Sequence, residues 1–366
     1  MKGLSMKNKV LIYAYTKYNL GDDLLIKILS KRYPYVQFIL YTYPEYKSIF
    51  KDCLNIHIIS NRNILGKAIN AIGRLVHRNN AYERSLARKC RACICITGSL
   101  FIQGEEWQSY LKYMKSRQIT GIPYFQIGSN FGPYTDKKFY ERFKEFFMNC
   151  EDVCFRELYS YNLFSDLPNV RFAPDIVFSG KFPIRKSEKM VSVSVINLKD
   201  RKELSQYQVS YKNYMTNLCR YYCNKGYQVN LMSFCKEEGD EIMVKEIMQE
   251  FKRKAVKPIP VFYQGDIGQI VDLISRSEIV VATRFHAMIL GWCMEKKVLP
   301  IVYSAKMEHV INEVNFEGEV VHIRENKSDI ESVLEQLRDY DKFDICEIRK
   351  KAENQFEKID KLLLKR

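Results

Sequence analysis

The chain alternates short apolar runs with longer segments whose apolar residues recur at helical spacing. In the first half the apolar runs predict strands at residues 10–15, 36–41, 56–60, 92–97, 124–128 and 152–155. Between them, helical spacing or an acidic start predicts helices at residues 22–32, 105–117 and 137–149. Apolar strands separated by helices are typical of a parallel sheet, because parallel neighbours need a long crossover. The first half therefore predicts a β-α domain.

A polar segment at residues 178–189, which contains glycine and proline, interrupts this alternation, so we interpret it as a linker. The pattern then restarts, with strands predicted at residues 191–196, 228–233, 279–282 and 298–302. Helices are predicted at residues 204–224, 238–252, 267–275, 285–294 and 345–364. A chain of 366 residues exceeds the size at which one core keeps growing. The sequence thus predicts an α/β fold of two Rossmann-like lobes that face a cleft.

We expect an N-terminal Rossmann-like domain at residues 1–178 and a C-terminal one at residues 190–340. Residues 341–366 are expected to form a C-terminal helix that packs back towards the N-terminal domain. No apolar run approaches the roughly 20 residues of a membrane-spanning helix, and residues 10–15 lack a signal cleavage site. The eleven cysteines, an odd and scattered set, do not suggest a disulfide framework. We therefore expect a cytoplasmic protein.

The formal net charge of +15 favours anionic partners. Basic residues interleaved with exposed aromatics, or a nucleic-acid reading motif, are not evident, so we expect no nucleic-acid partner. A small anionic substrate, a membrane surface or both remain. Residues 61–91 include a helical pattern with an apolar face opposite Lys67, Arg74 and Arg78. This segment is interpreted either as a peripheral contact with an anionic membrane or as an ordinary helix packed on the sheet.

Residues that follow the predicted strands are the best candidates for chemistry, because ligands bind outside the carboxyl ends of parallel strands. After the strand at 279–282, Thr283 is predicted to be a helix N-cap, with Arg284 and His286 in the first turn. Such a helix start, with an arginine fork and a histidine, predicts an anion site with a proton carrier. The alternative is that Arg284 binds a neighbouring element and His286 is an interior histidine.

Two further cations follow predicted strands. Lys306 reaches the same rim as Arg284 or is simply an exposed lysine, and Arg156 either faces the site or pairs with Glu157 or Asp175. Neither the dinucleotide-binding glycine fingerprint nor a P-loop is present. Asp22 and Asp23 bind a hydroxyl group or cap a helix. The cysteines at positions 90, 93 and 95 lack a second metal-binding pair, so we expect core cysteines and no metal.

Taken in order, the strand-end segments resemble the polysaccharide pyruvyltransferase family over most of the chain. The segments are NLGDD, TGSLF, GSNFGP, RELYS, APD and RFHAMILGWCMEKKVLPIVYSAK. Two departures from the family pattern are evident. Gly98-Ser99-Leu100 stands where the family has a run of glycines, and Arg156-Glu157 stands where it has an Arg-Asp pair. The first departure affects acceptor contacts, whereas the second keeps the charge pattern.

The resemblance implies a glycosyltransferase-B-like fold with an acceptor-side N-terminal domain and a donor-binding C-terminal domain. It implies transfer of the enolpyruvyl group of phosphoenolpyruvate, a co-substrate, onto a sugar diol as a pyruvate ketal, with no metal or other cofactor. His286 and Arg284 would then be catalytic. The residues assigned to the donor are Arg156, Arg284, Lys306 and Thr283. The residues assigned to the acceptor are Asn19, Asp22, Asp23, Ser99 and Asn130.

Members of this family generally modify cell-surface polysaccharides, often as lipid-linked precursors at the cytoplasmic face. The resemblance therefore implies a sugar acceptor, free or lipid-linked, and a cytoplasmic protein with peripheral contact at the inner membrane face as one alternative. A second interpretation is a nucleotide-sugar glycosyltransferase of the same fold, with Glu308 gripping the ribose. A third is a non-catalytic sugar or anion sensor, against which the presence of Arg284, His286 and Lys306 argues.

Overall fold

The computed structural model describes residues 8–75, 80–201, 203–325 and 343–364, and single positions 331, 333, 335 and 337. The chain divides into two compact units. The first comprises Met1–Thr16, Leu24–Ile176 and Lys350–Arg366, and the second Lys17–Asp23 and Val177–Arg349. Of the expected N-terminal domain, residues 1–178, the segments 17–23 and 177–178 are therefore grouped with the second unit. Val76 and Arg78 of the predicted basic helix lie outside the described residues.

The first unit is built on a seven-stranded sheet in which all neighbours are parallel, with strand order β3-β2-β1-β4-β5-β6-β7. The strands are β1 Lys9–Tyr13, β2 Gln37–Thr42, β3 Ile56–Ser60, β4 Ala92–Ile96, β5 Tyr124–Ser129, β6 Asp152–Phe155 and β7 Val170–Phe172. Six of these strands confirm the prediction. The seventh was missed because three residues are too few to show an apolar pattern.

Helices connect these strands. They are α1 Leu20–Arg32, α2 Tyr46–Ile49, α3 Ile64–Leu75, α4 Ala81–Ala87, α5 Trp107–Arg117, α6 Lys137–Met148 and α7 Leu158–Leu163. The sequence of α6 shows how the core forms, since Phe139, Phe143, Phe146 and Phe147 share one helix face and are fully buried. Asp136 begins this helix by accepting a hydrogen bond from the Lys138 backbone N–H at 2.8 Å.

The second unit contains a six-stranded sheet, also parallel throughout, with strand order β10-β9-β8-β11-β12-β13. The strands are β8 Glu188–Ser194, β9 Gln228–Ser233, β10 Ile259–Phe262, β11 Ser277–Ala282, β12 Lys297–Val302 and β13 Val321–His322. Its helices include α8 Gln208–Asn224, α9 Asp240–Gln249, α10 Ile267–Arg276, α11 Phe285–Cys293 and α12 Ala305–Glu313. The two parallel-sheet units confirm the predicted α/β class. The strands β10 and β13, which were not predicted, form the two edges of this sheet.

The C-terminal segment starts in the second unit, at residues 346–349, and continues in the first unit from Lys350. It contains α13 Cys346–Ala352 and α14 Glu357–Leu363, joined by a 3₁₀ turn at Glu353–Phe356. The buried amide of Gln355 accepts a hydrogen bond from the Gly128 backbone N–H at 3.0 Å and donates to the Ala173 carbonyl at 2.6 Å. Its side chain therefore ties the C-terminal turn to the carboxyl ends of β5 and β7.

Ten of the eleven cysteines are buried and none is in a disulfide, which confirms Cys90, Cys93 and Cys95 as core residues. Among the described residues, no helix is both long enough and apolar enough to cross a bilayer.

Candidate active site

The segment that joins β11 to α11 carries the residues predicted to bind an anion. Arg284, not Thr283, occupies the N-cap position, with extended backbone angles of φ −79° and ψ 129°. Thr283 is fully buried, and its hydroxyl oxygen accepts a hydrogen bond from the Tyr211 hydroxyl at 2.9 Å. The prediction that Thr283 caps α11 was wrong, because α11 begins at Phe285 and the residue before it, Arg284, has extended backbone angles.

The guanidinium of Arg284 is held by two carboxylates. Its Nε donates to Asp240 Oδ2 at 2.8 Å, its Nη2 binds the other oxygen of Asp240, and its Nη1 donates to Glu238 Oε2 at 2.8 Å. Burial disfavours the charged guanidinium, but Asp240 and Glu238 outweigh that cost and raise the pKa of Arg284 well above its ordinary value. The alternative in which Arg284 binds a neighbouring element thus matches the geometry, since Asp240 is the first residue of α9.

Glu238 joins this arginine to a second one. Arg201 Nη2 donates to the same Oε2 atom at 2.7 Å. Burial would raise the pKa of Glu238, but Arg284 and Arg201 outweigh it and lower that pKa to about 2. Two guanidinium groups therefore converge on one carboxylate oxygen whose side chain is still 33% exposed, whereas the side chain of Asp240 is fully buried. The two guanidinium groups are thus placed to bind one anionic oxygen, here that of Glu238.

Lys306 and Tyr303 complete the same cluster. Lys306, in the first turn of α12, lies with Nζ 5.7 Å from the centroid of the Phe285 ring and 5.8 Å from that of Tyr303. The Arg201 guanidinium lies 5.1 Å from the Tyr303 centroid. Burial acts to raise the pKa of Tyr303, but Lys306, Arg201 and Arg284 together lower it below its ordinary value. Of the two alternatives for Lys306, this geometry favours the one in which Lys306 shares the rim with Arg284.

His286 lies beside the segment Lys17–Asp23. A β-carbon on Gly21 would lie 1.8 Å from His286 Nδ1, so only glycine leaves room for the imidazole. Asn19 fixes this turn: its Oδ1 accepts from the Gly21 backbone N–H at 3.0 Å, and its Nδ2 lies 3.5 Å from Glu238 Oε1. Asn19 and Gly21 therefore belong to the site formed by His286 and Glu238.

The acidic pair that follows has structural roles. Both Asp22 and Asp23 are buried in the first turn of α1, and Asp23 Oδ2 accepts a hydrogen bond from the Tyr263 hydroxyl at 2.6 Å. This geometry favours the interpretation in which the two carboxylates stabilise the start of the helix.

A second polar cluster lies at the carboxyl edge of the first sheet. Arg156 is 3% exposed, and its Nη1 pairs with the fully buried carboxylate of Asp175 at 2.9 Å. Its Nη2 donates to Asn130 Oδ1 at 2.8 Å and to Ser99 Oγ at 3.3 Å. A β-carbon on Gly98 would lie 3.0 Å from Arg156 Nη1, so the glycine permits this approach. The geometry matches the alternative in which Arg156 pairs with Asp175, and Arg156 holds Asn130 and Ser99 in place.

Sequence reasoning missed the two carboxylates and one arginine of the second unit. Glu238 and Asp240 follow the predicted strand at 228–233, so the rule applied to the other strand ends would have found them. Arg201 lies seven residues after the end of β8, too far along the chain for the strand-end rule to identify it.

The polysaccharide pyruvyl transferase family model matches residues 19–305, which include every residue of both clusters except Lys306. The chain belongs to the polysaccharide pyruvyl transferase family. The pyruvyl transferase match makes the protein an enzyme of the transferase class. The sequence has no significant match among proteins with curated descriptions.

Solved structures similar to this pyruvyl transferase family member support its fold alone, because their sequence identities are low. TarM aligns over 100% of both chains, with a TM-score of 0.56 and 10% identity. UDP-GlcNAc 2-epimerase from Neisseria meningitidis, bound to UDP-GlcNAc, covers 98% of this chain and 100% of its own, with a TM-score of 0.56 and 13% identity. HepE from Anabaena, in complex with UDP and glucose, covers 96% of this chain and 99% of its own, with a TM-score of 0.52 and 12% identity. The fold is therefore of the glycosyltransferase-B kind.

Proposed function

We propose that this protein transfers the enolpyruvyl group of phosphoenolpyruvate to a sugar diol of a cell-surface polysaccharide, or of its lipid-linked precursor, and forms a pyruvate ketal. The observation that carries the proposal is the convergence of Arg201 and Arg284 on one oxygen of Glu238, beside Lys306 and His286. Membership of the family supplies the class of reaction.

Phosphoenolpyruvate carries a carboxylate and a phosphate, so its site must supply several fixed cations. Glu238 Oε2 marks a position where two guanidinium groups already hold a carboxylate oxygen. In our proposal an anionic group of the donor takes that position and Glu238 turns outward, while the buried carboxylate of Asp240 keeps Arg284 in place. Lys306 and the positive end of α11 contribute to binding the second anionic group.

The proposed reaction consists of an addition and a displacement. One sugar hydroxyl adds through its oxygen to C2 of phosphoenolpyruvate, a proton is delivered to C3, which becomes a methyl group, and the hydroxyl proton passes to a base. The second hydroxyl then bonds to C2, loses its proton, and inorganic phosphate leaves with the electron pair of the C2–O bond. The products are a cyclic ketal and phosphate, with no net oxidation or reduction.

We assign His286 to proton transfer in the addition step, because it is the ionisable side chain at this site suited to moving protons near neutral pH. Arg284 acts in both binding and catalysis: its charge opposes the one that develops on the departing phosphate. The reaction as written requires neither a metal ion nor a nucleotide.

Acceptor binding is proposed for the cluster in the first unit. The resemblance assigned Arg156 to the donor, but its charge is neutralised by Asp175 in a fully buried pair. We now propose that Arg156 is a positioning residue that orients the Asn130 and Ser99 side chains towards the sugar hydroxyls. Asn19 is retained as an acceptor contact because it lies beside Glu238.

The proposal is tested by supplying carbon-labelled phosphoenolpyruvate with a panel of hexosides and isolated envelope glycolipids, and measuring ketal formation and phosphate release. Equal amounts of both products are expected from the wild type. His286→Ala should lower kcat about a hundredfold or more, while the exposed control His57→Ala retains full activity. Equal activity in His286→Ala, or glycosyl transfer from a nucleotide sugar instead of ketal formation, would show that the proposal is wrong.

A further inference from the structure

The helix α3 packs against α4 through a face that contains two buried glycines. Gly66 and Gly73 are buried, and Asn70 Oδ1 accepts a hydrogen bond from the Tyr82 backbone N–H at 2.9 Å. A β-carbon on Gly66 would lie 2.9 Å from the Tyr82 ring, so the two helices approach closely at this glycine. Apart from the half-buried Ile69, the inward face of α3 is therefore made of small and polar residues.

Four large aliphatic residues of α3 point away from this contact. Ile64 is 86% exposed, Leu65 63%, Ile72 64% and Leu75 82%. At 100° per residue these four side chains, with exposed Ala68, fall within an arc of roughly 100°. We name this set the α3 apolar face. Single exposed aliphatic residues are common, but a contiguous group on one helix face marks an interaction site.

Positive charge borders the α3 apolar face. Lys67 and Arg74 are exposed on the arc between the apolar face and the buried glycines, as the helical spacing requires. The sequence has no acidic residue between Asp52 and Glu83. Arg62, just before the helix, is paired with Glu45 at 2.8 Å and therefore adds less positive charge to this border.

We propose that the α3 apolar face docks on an anionic phospholipid surface, with its aliphatic side chains among the acyl chains and Lys67 and Arg74 at the headgroups. An amphipathic helix of this kind lies in the plane of the membrane interface. Charge complementarity favours this occupant over a second copy of the chain, since self-pairing would bring two basic helices together without an acidic partner.

The structure thus revises one interpretation of residues 61–91. The described part of this segment contains two helices, α3 and α4, and the side chains of Ile64, Leu65, Ile72 and Leu75 are exposed instead of packed on the sheet. Docking at a membrane would bring the enzyme to a lipid-linked acceptor, a consequence that rests on the proposed function.

Flotation with phospholipid vesicles tests the proposal directly. The wild type should float with vesicles that contain phosphatidylglycerol and not with pure phosphatidylcholine. The double variant Leu65→Ser with Ile72→Ser should bind roughly tenfold more weakly or worse. In the double variant Lys67→Gln with Arg74→Gln, vesicle binding should weaken about fivefold for each charge removed. The matched control is Val209→Ser with Ile242→Ser, which removes aliphatic residues that are 67% and 49% exposed in the second unit and should bind like the wild type.

A second readout follows the helix itself. The native Trp107 and Trp292 are buried, so their fluorescence is shielded from a membrane. The substitution Ile72→Trp adds an exposed indole whose emission reports contact with the vesicles. Its emission should shift to the blue on addition of anionic vesicles. Absence of wild-type flotation, unchanged binding by the apolar variant, or a dimer that dissociates in that variant without vesicle binding would overturn the proposal. Neither assay uses phosphoenolpyruvate or a sugar, so failure here is distinct from failure of the proposed transfer reaction.

Discussion

At the scale of single residues, the guanidinium groups of Arg201 and Arg284 are held by two carboxylates. Asp240 and Glu238 differ in burial, and that difference separates their roles. Asp240 is fully buried and also accepts the Phe234 and Cys235 backbone N–H groups at 2.9 Å, so it fixes Arg284. Glu238 is partly exposed, which makes it the carboxylate that an anionic ligand can replace.

Glu238→Gln is therefore expected to strengthen the binding of phosphoenolpyruvate. The substitution removes the negative charge that competes for Arg201 and Arg284 and keeps the shape of the side chain. Titration calorimetry should show a dissociation constant several-fold below that of the wild type. Glu203→Gln, on an exposed carboxylate paired with Arg324 at 3.4 Å, is the matched control and should leave affinity unchanged. Weaker binding by Glu238→Gln would contradict the role proposed for this carboxylate.

Gly21→Ala is expected to displace the imidazole of His286, because the added carbon would lie 1.8 Å from Nδ1. Misplacing a proton-transfer group by about 1 Å commonly costs around a hundredfold in rate, so kcat for ketal formation should fall by about that factor. Gly104→Ala, where no atom lies within 4 Å of the new carbon, is the control. Unchanged kcat in Gly21→Ala would remove His286 from the mechanism.

The sequence identified much of the site but not its internal pairing. Arg284, His286 and Lys306 follow predicted strands, and the contacts of Lys306 favour the alternative in which it shares a rim with Arg284. Which carboxylate neutralises which cation depends on loop conformations, so the pairing of Arg284 with Asp240 could not be predicted. The N-cap assignment of Thr283 failed for the same reason.

At the scale of elements, the C-terminal turn is attached by polar contacts as well as by packing. Tyr33 donates to Asp360 Oδ1 at 2.7 Å, and the Arg32 guanidinium lies 4.7 Å from the Phe356 ring centroid. The buried amide of Gln355 contributes the contacts to the strand ends. Such a buried amide is costly to remove, because its backbone partners are then left without hydrogen bonds.

Gln355→Leu should lower the free energy of unfolding by roughly 2 to 4 kcal/mol, since it leaves the Gly128 N–H and the Ala173 carbonyl without this partner. Denaturant titration measures the change. Asn354→Leu alters the exposed neighbouring amide and should change stability by less than about 0.5 kcal/mol. Equal stabilities of the two variants would show that the amide is not required for attaching this turn.

Elements with strong periodicity were predicted well, and short edge strands were not. The phenylalanine face of α6 and the apolar run of β4 carry their own signal. By contrast, β13 has two residues and β10 contains a proline, so each is a strand only because a longer neighbour pairs with it. The burial of glycines in α3 was also not predictable, since periodicity alone would have buried its aliphatic side.

At the scale of the whole molecule, fold and function rest on different observations. The solved structures of similar fold include proteins bound to UDP or UDP-GlcNAc. TarM, the epimerase and HepE are at most 13% identical to this chain, and a shared fold does not specify a donor. The family match over residues 19–305 supplies the reaction class. Glu308, the residue considered for ribose binding, has its Oε1 3.3 Å from His322 Nδ1.

The most direct measurement is a thermal-shift comparison of phosphoenolpyruvate with a panel of nucleotide sugars, because a ligand that binds the folded state raises its melting temperature. We predict that phosphoenolpyruvate raises the Tm of the wild type, that the shift is strongly reduced in Arg284→Ala and Lys306→Ala, and that His286→Ala retains most of it. A shift with a nucleotide sugar alone, or no shift with phosphoenolpyruvate at millimolar concentration, would contradict the identification of the donor.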